Sequence, residues 1–592
     1  MANYTAPLDD IRFLLHDWLN ITEHYKKYGY EEAADKELID AILEEGAKFS
    51  QEVLAPINQS GDEEGCKIDG HQVTTPTGFK EAYQQYCDNG WPSLSAEPEY
   101  GGQGLPYSLS SVLSEMVSSA NMSWGMYPGL SQGVIEALSA HGSDEQKQRY
   151  LPDLVSGNWT GTMCLTEPHC GSDLGILRTK AEPSGNDIYS ITGTKIFISA
   201  GEHDLAENII HLVLARLPDA PEGTKGISLF IVPKFKVSDT GITDQRNSVY
   251  CGSIEHKMGI KASATAVLNF DAAEGILIGE PNKGLNYMFT MMNAARLGTA
   301  QQGQALNEVS YQGALAYAKE RTQMRALSGP KAPEQAADPI IVHPDVRRML
   351  LTQKAFAEGN RALAYYTAML VDTEQRADGE RKKKAFKELS FLTPICKAFM
   401  TEMGHETTNL GMQILGGHGY ISEWGLEQYA RDVRIAQIYE GTNGIQALDL
   451  LGRKVLMDKL ATLRRIQKKM KYTIKDLSAD KELKDMSGDL KTLIRKWFML
   501  TLNIARKAGK DREEVGAAAF DYLMYSGYIY VGFIWLQLAA AARKKHPESD
   551  LAKSKLATCK FYFARLLPRV KTHAANIKSG ASNLMDIDEN LF

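Results

Sequence analysis

The sequence predicts an α+β fold in four parts: an N-terminal helical domain over residues 1–160, a central antiparallel β domain over 161–280, a C-terminal four-helix-type bundle over 281–455, and an extra helical domain over 456–592. Three observations predict it. Apolar residues recur at three- and four-residue spacing in the first, third and fourth parts. Short β-rich runs separated by turn residues fill the second. The chain has 592 residues, more than one hydrophobic core usually organises.

In the first part, helical spacing marks residues 11–18, 38–54 and 108–119. The Gly-rich stretch 100–104 reads as a loop, and Ser143, Asp144 and Glu145 as a helix start. The second part offers strands at 193–199, 209–215, 226–232 and 265–270, with a turn at Ser184, Gly185, Asn186 and Asp187. Helical spacing returns at Gly284 and runs to about Leu451, broken by a polar loop at 327–339. Beyond Lys454 a charged helical segment leads to 476–489, which reads as a linker or exposed turn, and long helices follow to about 585.

The hydrophobic share is 43% and the charged share 23%, ordinary for a globular protein. A net charge of −7 argues against nucleic acid as the main partner of the whole molecule. The charge is uneven. From Arg453 onward there are 28 Lys and Arg against 15 Asp and Glu, a balance of +13, which leaves −20 for the rest. Seven cysteines form no CxxC pair, so neither a disulfide framework nor a metal site is expected, and a reducing, cytoplasmic location fits. Met1 to Asp10 lacks the pattern of a signal or transit peptide. Residues 522–542 are free of charge and long enough to span a bilayer, but four Tyr, two Gly, a Ser and a Gln favour a helix buried among others, and no membrane partner is expected.

Three strings carry chemistry. MCLTEPHCGSD at 163–173 sits where helix gives way to strand; Pro168 and Gly171 fix a tight loop that is either a plain turn or an anion cradle using backbone N–H groups and Ser172. GTKIFISAG at 193–201 is either an ordinary core strand or one that sets the Phe197 ring and the Ser199 hydroxyl against a flat cofactor. QILGGHGY at 413–420 is followed by IYEGTNGIQ at 438–446, in which glycines allow close backbone approach and Glu440 sits on a loop.

Together, and in this order, these strings resemble the acyl-CoA dehydrogenase family over about residues 40–455. The extra domain and the 327–339 insert are similar to a larger subgroup that includes 3-(methylthio)propanoyl-CoA dehydrogenases. The resemblance implies FAD as cofactor, an acyl-CoA thioester as substrate, an electron-transferring flavoprotein as acceptor, and a homodimer or a dimer of dimers. It implies that Leu165, Thr166, Gly171 and Ser172 contact the flavin, with Phe197 over the ring and Ser199 near N5. Arg321, Gln413, Gly416 and Gly417 match positions that reach the adenine half of a neighbouring subunit's FAD, and Thr442 and Gly444 flank that cofactor. Ser172, Arg296 and Gly441 match substrate-binding positions. Four positions depart at the flavin and adenine contacts: His169, Cys170, Gln323 and Met324. Asn293 stands where many members carry an acid.

Glu440 is the implied base for the substrate α-proton, with its own backbone N–H among the donors to the thioester oxygen. The other stretch that supplies the base in some members, here 291–299, holds no carboxylate. Two alternatives stay open: a same-fold flavoprotein whose basic carboxy-terminal domain binds DNA, and an acyl-CoA oxidase that passes electrons to oxygen. Short- to medium-chain fatty acyl thioesters are the alternative substrates.

Overall fold

The computed structural model describes residues 4–238 and 241–592; the first three residues of the expected amino-terminal part lie outside them. Two compact units emerge: Lys48–Gly298, and Met1–Ala47 together with Thr299–Phe592.

The first unit holds a seven-stranded sheet. Its order is Trp159–Cys164, Asn208–Ala215, Ser228–Pro233, Thr265–Leu277, Ile188–Ser199 and Lys180–Gly185, with Val249–Ile254 also paired to Thr265–Leu277. The expected turn is a two-residue hairpin loop, Asn186 and Asp187, whose φ of 50° and 59° suit the twist of the flanking strands. Two central strands, Asn208–Ala215 and Ser228–Pro233, are buried along their whole length, so their apolar runs are continuous rather than alternating. One pair differs from the antiparallel expectation. Trp159–Cys164 runs parallel to Asn208–Ala215, because the chain between them crosses through the hairpin Lys180–Ser199 and returns to the same end. The helix Met122–His141 lies against Trp159–Cys164 so closely that a Cβ at Gly161 would meet Val134 at 2.5 Å. Ser143 caps the next helix with a reciprocal bond to Gln146. A small hairpin, Lys67–Asp69 with Gln72–Thr74, interrupts what the sequence reads as helical.

The second unit is helical. Pro344–Arg376 and Gly379–Leu415 pack side by side, and Glu513–Lys545 runs among them with Lys484–Ala508 and Val570–Ser579. Glu513–Lys545 is the one helix among the described residues long and apolar enough to cross a membrane, and its apolar stretch is buried in protein. Its four tyrosine hydroxyls all find partners inside. Tyr522 meets Thr501 at 2.9 Å, Tyr525 donates to the Leu493 carbonyl at 3.0 Å, Tyr530 to Glu388 at 3.4 Å, and Arg569 donates to Tyr528 at 3.1 Å. Gly527 brings this helix onto Phe399, where a Cβ would approach a ring carbon to 2.3 Å. The expected linker at 476–489 is shorter: Lys484–Ala508 already begins within it.

The amino-terminal arm joins this unit through buried charge. Asp10 accepts from Arg361 at 2.7 Å and from Lys555, which also donates to Glu358 at 2.6 Å. Burial alone would raise the Asp10 carboxyl, but Lys555 and Arg361 outweigh it and hold it at about 2.

Candidate active site

In the sheet unit, the loop after Cys164 is pinned by a buried carboxylate. Glu167 accepts from Lys195 at 2.8 Å, from the Thr179 backbone N–H and hydroxyl at 3.0 and 2.6 Å, and from the Arg178 N–H at 2.7 Å. Glu167 and Cys170 exchange backbone bonds, which closes the tight turn around Pro168 and His169. The Ile196 N–H donates to the Thr166 carbonyl at 2.9 Å, and Lys195 donates to the Leu165 carbonyl at 3.0 Å. These bonds hold the loop beside the end of the strand Ile188–Ser199, so Leu165, Thr166, Phe197 and Ser199 share one edge. Leu165 is buried, Thr166 and Ser199 half-buried, Gly171 and Ser172 exposed. Burial works against both charges of the Lys195–Glu167 pair; for Glu167 the attraction of Lys195 wins and its carboxyl falls below the ordinary range, while the Lys195 ammonium is lowered.

Phe197 is unusual twice over. It is a large ring left 59% exposed, and its φ of 58° lies in the left-handed region that disfavours a side chain. Asp173 turns inward to cap Gly175 at 2.9 Å, and His169 bonds the Ile176 carbonyl at 2.9 Å, so the two departures here, His169 and Cys170, serve the loop's own closure. Glu167, His169 and Cys170 bring ligand-type atoms within 4.8 Å of one another, but Glu167 is already saturated by its protein donors. Arg296 is half-buried on the helix Gly284–Glu320, where its guanidinium donates to Asn293 at 3.2 Å.

In the helical unit, Glu440 sits on the loop before the short helix Asn443–Leu448. It too is left-handed, with φ of 57°, and Gly441 follows at 82°. Two such residues in a row turn the chain sharply and hold the half-buried Glu440 at the bend. The bend is gripped from behind. Gln446 donates to the Glu440 carbonyl at 3.2 Å, and Thr442 caps Ile445 at 3.3 Å. The buried Asn443 amide accepts from Lys397 at 2.9 Å and donates to Glu402 at 2.8 Å. Tyr439, just before, donates to Gln302; burial and then the Glu440 carboxylate push its phenol far above the ordinary range, so the two groups are close.

Gln413, Gly416 and Gly417 lie exposed where the helix Gly379–Leu415 ends. Gly416 takes φ of 59°, a Cβ at Gly416 or Gly417 would meet nothing within 4 Å, and at Gly444 only the Thr442 hydroxyl at 3.9 Å. Arg321 is exposed at the start of the loop 321–343, whose core is Asp338. That carboxylate accepts from the Ala326, Lys331 and Ala332 N–H groups at 2.8 Å each and from Arg325 at 3.1 Å. The loop is longer than the expected 327–339 because Arg321 to Met324 pair back with it. Three residues of the site, Lys195, Asn443 and Lys397, have supporting roles that only the structure shows. The first two lie inside the motif strings, where their residue types were a signal; Lys397 lies in a helix with none.

Four domain patterns match the chain: "Acyl-CoA dehydrogenase, N-terminal domain" at residues 36–158, "middle domain" at 162–273, "C-terminal domain" at 282–456, and "Acetyl-CoA dehydrogenase C-terminal like" at 463–588. A 3-methylmercaptopropionyl-CoA dehydrogenase of Ruegeria pomeroyi is 43% identical over 98% of this chain and 99% of its own. The chain belongs to the acyl-CoA dehydrogenase family. A butyryl-CoA dehydrogenase of Syntrophomonas wolfei is 35% identical over 100% of this chain and 99% of its own. An acyl-CoA dehydrogenase of Bacillus anthracis solved with FAD superposes with a TM-score of 0.76, at 22% identity over 92% of this chain and 88% of that one, and shares its fold.

As a family member the chain is an FAD-dependent oxidoreductase, and its residues fit that cofactor. The exposed Phe197 ring offers a flat face to an isoalloxazine, with Thr166 and Ser199 hydroxyls along the same edge. The backbone at Gly416, Gly417 and Gly444 stands open to its surroundings, so a ligand can approach it closely.

Proposed function

We propose that the chain oxidises a short acyl-CoA thioester at its α and β carbons, with 3-(methylthio)propanoyl-CoA the favoured substrate and Glu440 the base. The observation that carries the reaction reading is the Glu440 bend: a carboxylate held in a left-handed conformation that a glycine would take without strain, braced by Asn443 and Gln446. A carboxylate so fixed loses little freedom on meeting a substrate, and its position is set before proton transfer begins. At the bend the Glu440 N–H is the proposed donor to the thioester oxygen, which steadies charge as the α-proton leaves. FAD, when bound, supplies the hydride acceptor. Phe197, Thr166 and Ser199 hold its ring, and Ser172, Arg296 and Gly441 bear on the substrate. Arg321, Gln413, Gly416, Gly417, Thr442 and Gly444 serve the cofactor of a neighbouring copy, which makes the working form at least a homodimer. An electron-transferring flavoprotein in the cytoplasm takes the electrons onward.

The substrate choice rests on the Ruegeria pomeroyi relative, similar over nearly the full length of both chains. The butyryl-CoA dehydrogenase relative supports butanoyl-CoA as the second reading. Anaerobic flavin bleaching tests both claims. Glu440→Gln is expected to keep FAD and abolish bleaching; bleaching at the parent rate would remove Glu440 as the base. Faster turnover of butanoyl- or octanoyl-CoA than of the thioether thioester would overturn the substrate assignment and leave the reaction standing.

A further inference from the structure

The surplus of basic residues beyond Arg453 is not spread evenly over the surface. On the helix Ala461–Leu477, Arg464, Lys468, Lys471 and Lys475 recur at four-, three- and four-residue spacing, which sets them in one stripe. All four are exposed. On the helix Lys484–Ala508, Lys491 and Arg495 make a second exposed stripe. Two contacts fix how the helices meet: the Arg464 guanidinium lies over the Phe498 ring at 5.7 Å, and Gln467 donates to the Ile494 carbonyl at 3.3 Å. This antiparallel register sets Lys471 across from Lys491 and Lys468 across from Arg495. The exposed acids Asp476, Asp485 and Asp489 project from the far sides of the two helices, at about 100° per residue. None of the six cations makes an ion pair among the described residues.

Like charges facing across a seam cost stability, a cost that an anion seated between them relieves. The seam spans roughly 16 Å at 1.5 Å per residue, the reach of a short extended peptide. Its rim also leaves Tyr472 and Met499 exposed, so an occupant with apolar side chains between its acids would be covered more fully than a plain polyanion. The chain carries such a segment. Residues 582–592 hold Asp586, Asp588 and Glu589 among Leu584, Met585, Ile587, Leu591 and Phe592, all exposed, and none of the three acids is in an ion pair among the described residues.

We propose that the basic seam between Ala461–Leu477 and Lys484–Ala508 is a docking site for the acidic tail 582–592 of a second copy of this chain. A nucleic acid would meet the same cations, but its phosphates offer nothing apolar to Tyr472 and Met499, and the −20 carried by the rest of the chain disfavours a polyanion.

The test uses the full-length holoenzyme and a fluorescent peptide of residues 582–592, read by anisotropy. Saturable binding that weakens about tenfold in Lys471→Glu/Lys491→Glu, and that a peptide with Lys at 586, 588 and 589 restores in that variant, is expected. Substrate-driven flavin bleaching should be unchanged in the variant, which shows it is folded. Deleting 582–592 should lower the mass in sedimentation in a concentration-dependent way. No saturable peptide binding, or binding indifferent to the charge reversal, would overturn the proposal. So would displacement of the peptide by duplex DNA or by anionic phospholipid vesicles that bind more tightly. An effect of tail deletion on peptide binding that does not vary with protein concentration would place the tail on its own chain and overturn the second-copy assignment.

Discussion

Lys195→Met removes a charge from the flavin loop while keeping most of the side-chain volume. The Lys195 side chain is fully buried and Glu167 is 3% exposed, so the variant leaves a carboxylate inside protein without its counter-charge. Breaking a buried pair by deleting one partner costs about 3–5 kcal/mol. Glu167 keeps its three bonds from Arg178 and Thr179, which places the loss at the lower end, about 3 kcal/mol. For a unit of this size each kcal/mol moves the melting temperature by about 2–4 °C, so a fall of roughly 6–12 °C is expected. Thermal release of FAD, followed by its fluorescence, reports it. Because the folded Glu167 carboxyl lies below its ordinary range, its stabilisation is complete at neutral pH and fades as pH falls through the ordinary carboxylate range. The variant should therefore differ most from the parent above about pH 5 and least in acid. Adding Glu167→Gln should recover part of the loss, since the stranded charge is gone. A melting temperature within about 1 °C of the parent, or a double variant worse than the single, would refute the ion pair as the loop's anchor.

Phe197→Ala should leave the melting temperature of the apoprotein nearly unchanged, because the ring is already exposed, yet weaken FAD binding by about tenfold in a titration of apoprotein. Gly527→Ala should destabilise by about 1–3 kcal/mol, read as a lowered urea midpoint, because the new methyl would meet the Phe399 ring at 2.3 Å. Asp338→Asn should open the loop 321–343 to limited proteolysis at neutral pH. Burial alone would raise that carboxyl, but three backbone N–H groups and Arg325 hold it well below its usual range. In the parent, the same cleavage should appear only as pH falls well below about 4, because a depressed carboxyl's stabilisation is whole above its unfolded value and is lost progressively as pH falls from there through its folded one.

The α+β order was legible because each part repeats one period for long enough to be read. Asn186 and Asp187 tolerate the left-handed conformation, and the hairpin loop falls on them. The parallel pairing of Trp159–Cys164 was not legible, since either direction buries the same faces and only the crossover decides. The three-residue strands at Lys67–Asp69 and Gln72–Thr74 are shorter than any period that could announce them. Residues 476–489 look like a linker, yet an exposed acid such as Asp485 suits the first turn of a helix as well as a loop. Charge-free 522–542 was readable as a buried helix because its polar residues need partners that hydrocarbon does not supply, and each tyrosine has one.

The site divides along the same line between what a residue type announces and what backbone geometry adds. Glu440, Phe197 and the glycines of 416, 417 and 444 stand out in the sequence as motif positions. That Glu440 and Phe197 are both non-glycine residues at positive φ could not be read there, because the neighbours enforcing it are far away: Lys397 and Glu402 on one helix for the first, the Thr166 and Ala264 carbonyls beside the strand for the second. A glycine would relieve either bend at no steric cost, so the side chains are kept there against a penalty of order 1–3 kcal/mol each. A protein under selection for stability alone would carry glycine at both. Retaining a carboxylate and an aromatic ring instead places the stored strain at the two side chains that the proposed reaction uses, and their supports, the Lys195–Glu167 ion pair and the Lys397 bond to the Asn443 amide, are buried deep in each unit rather than flexible surface contacts.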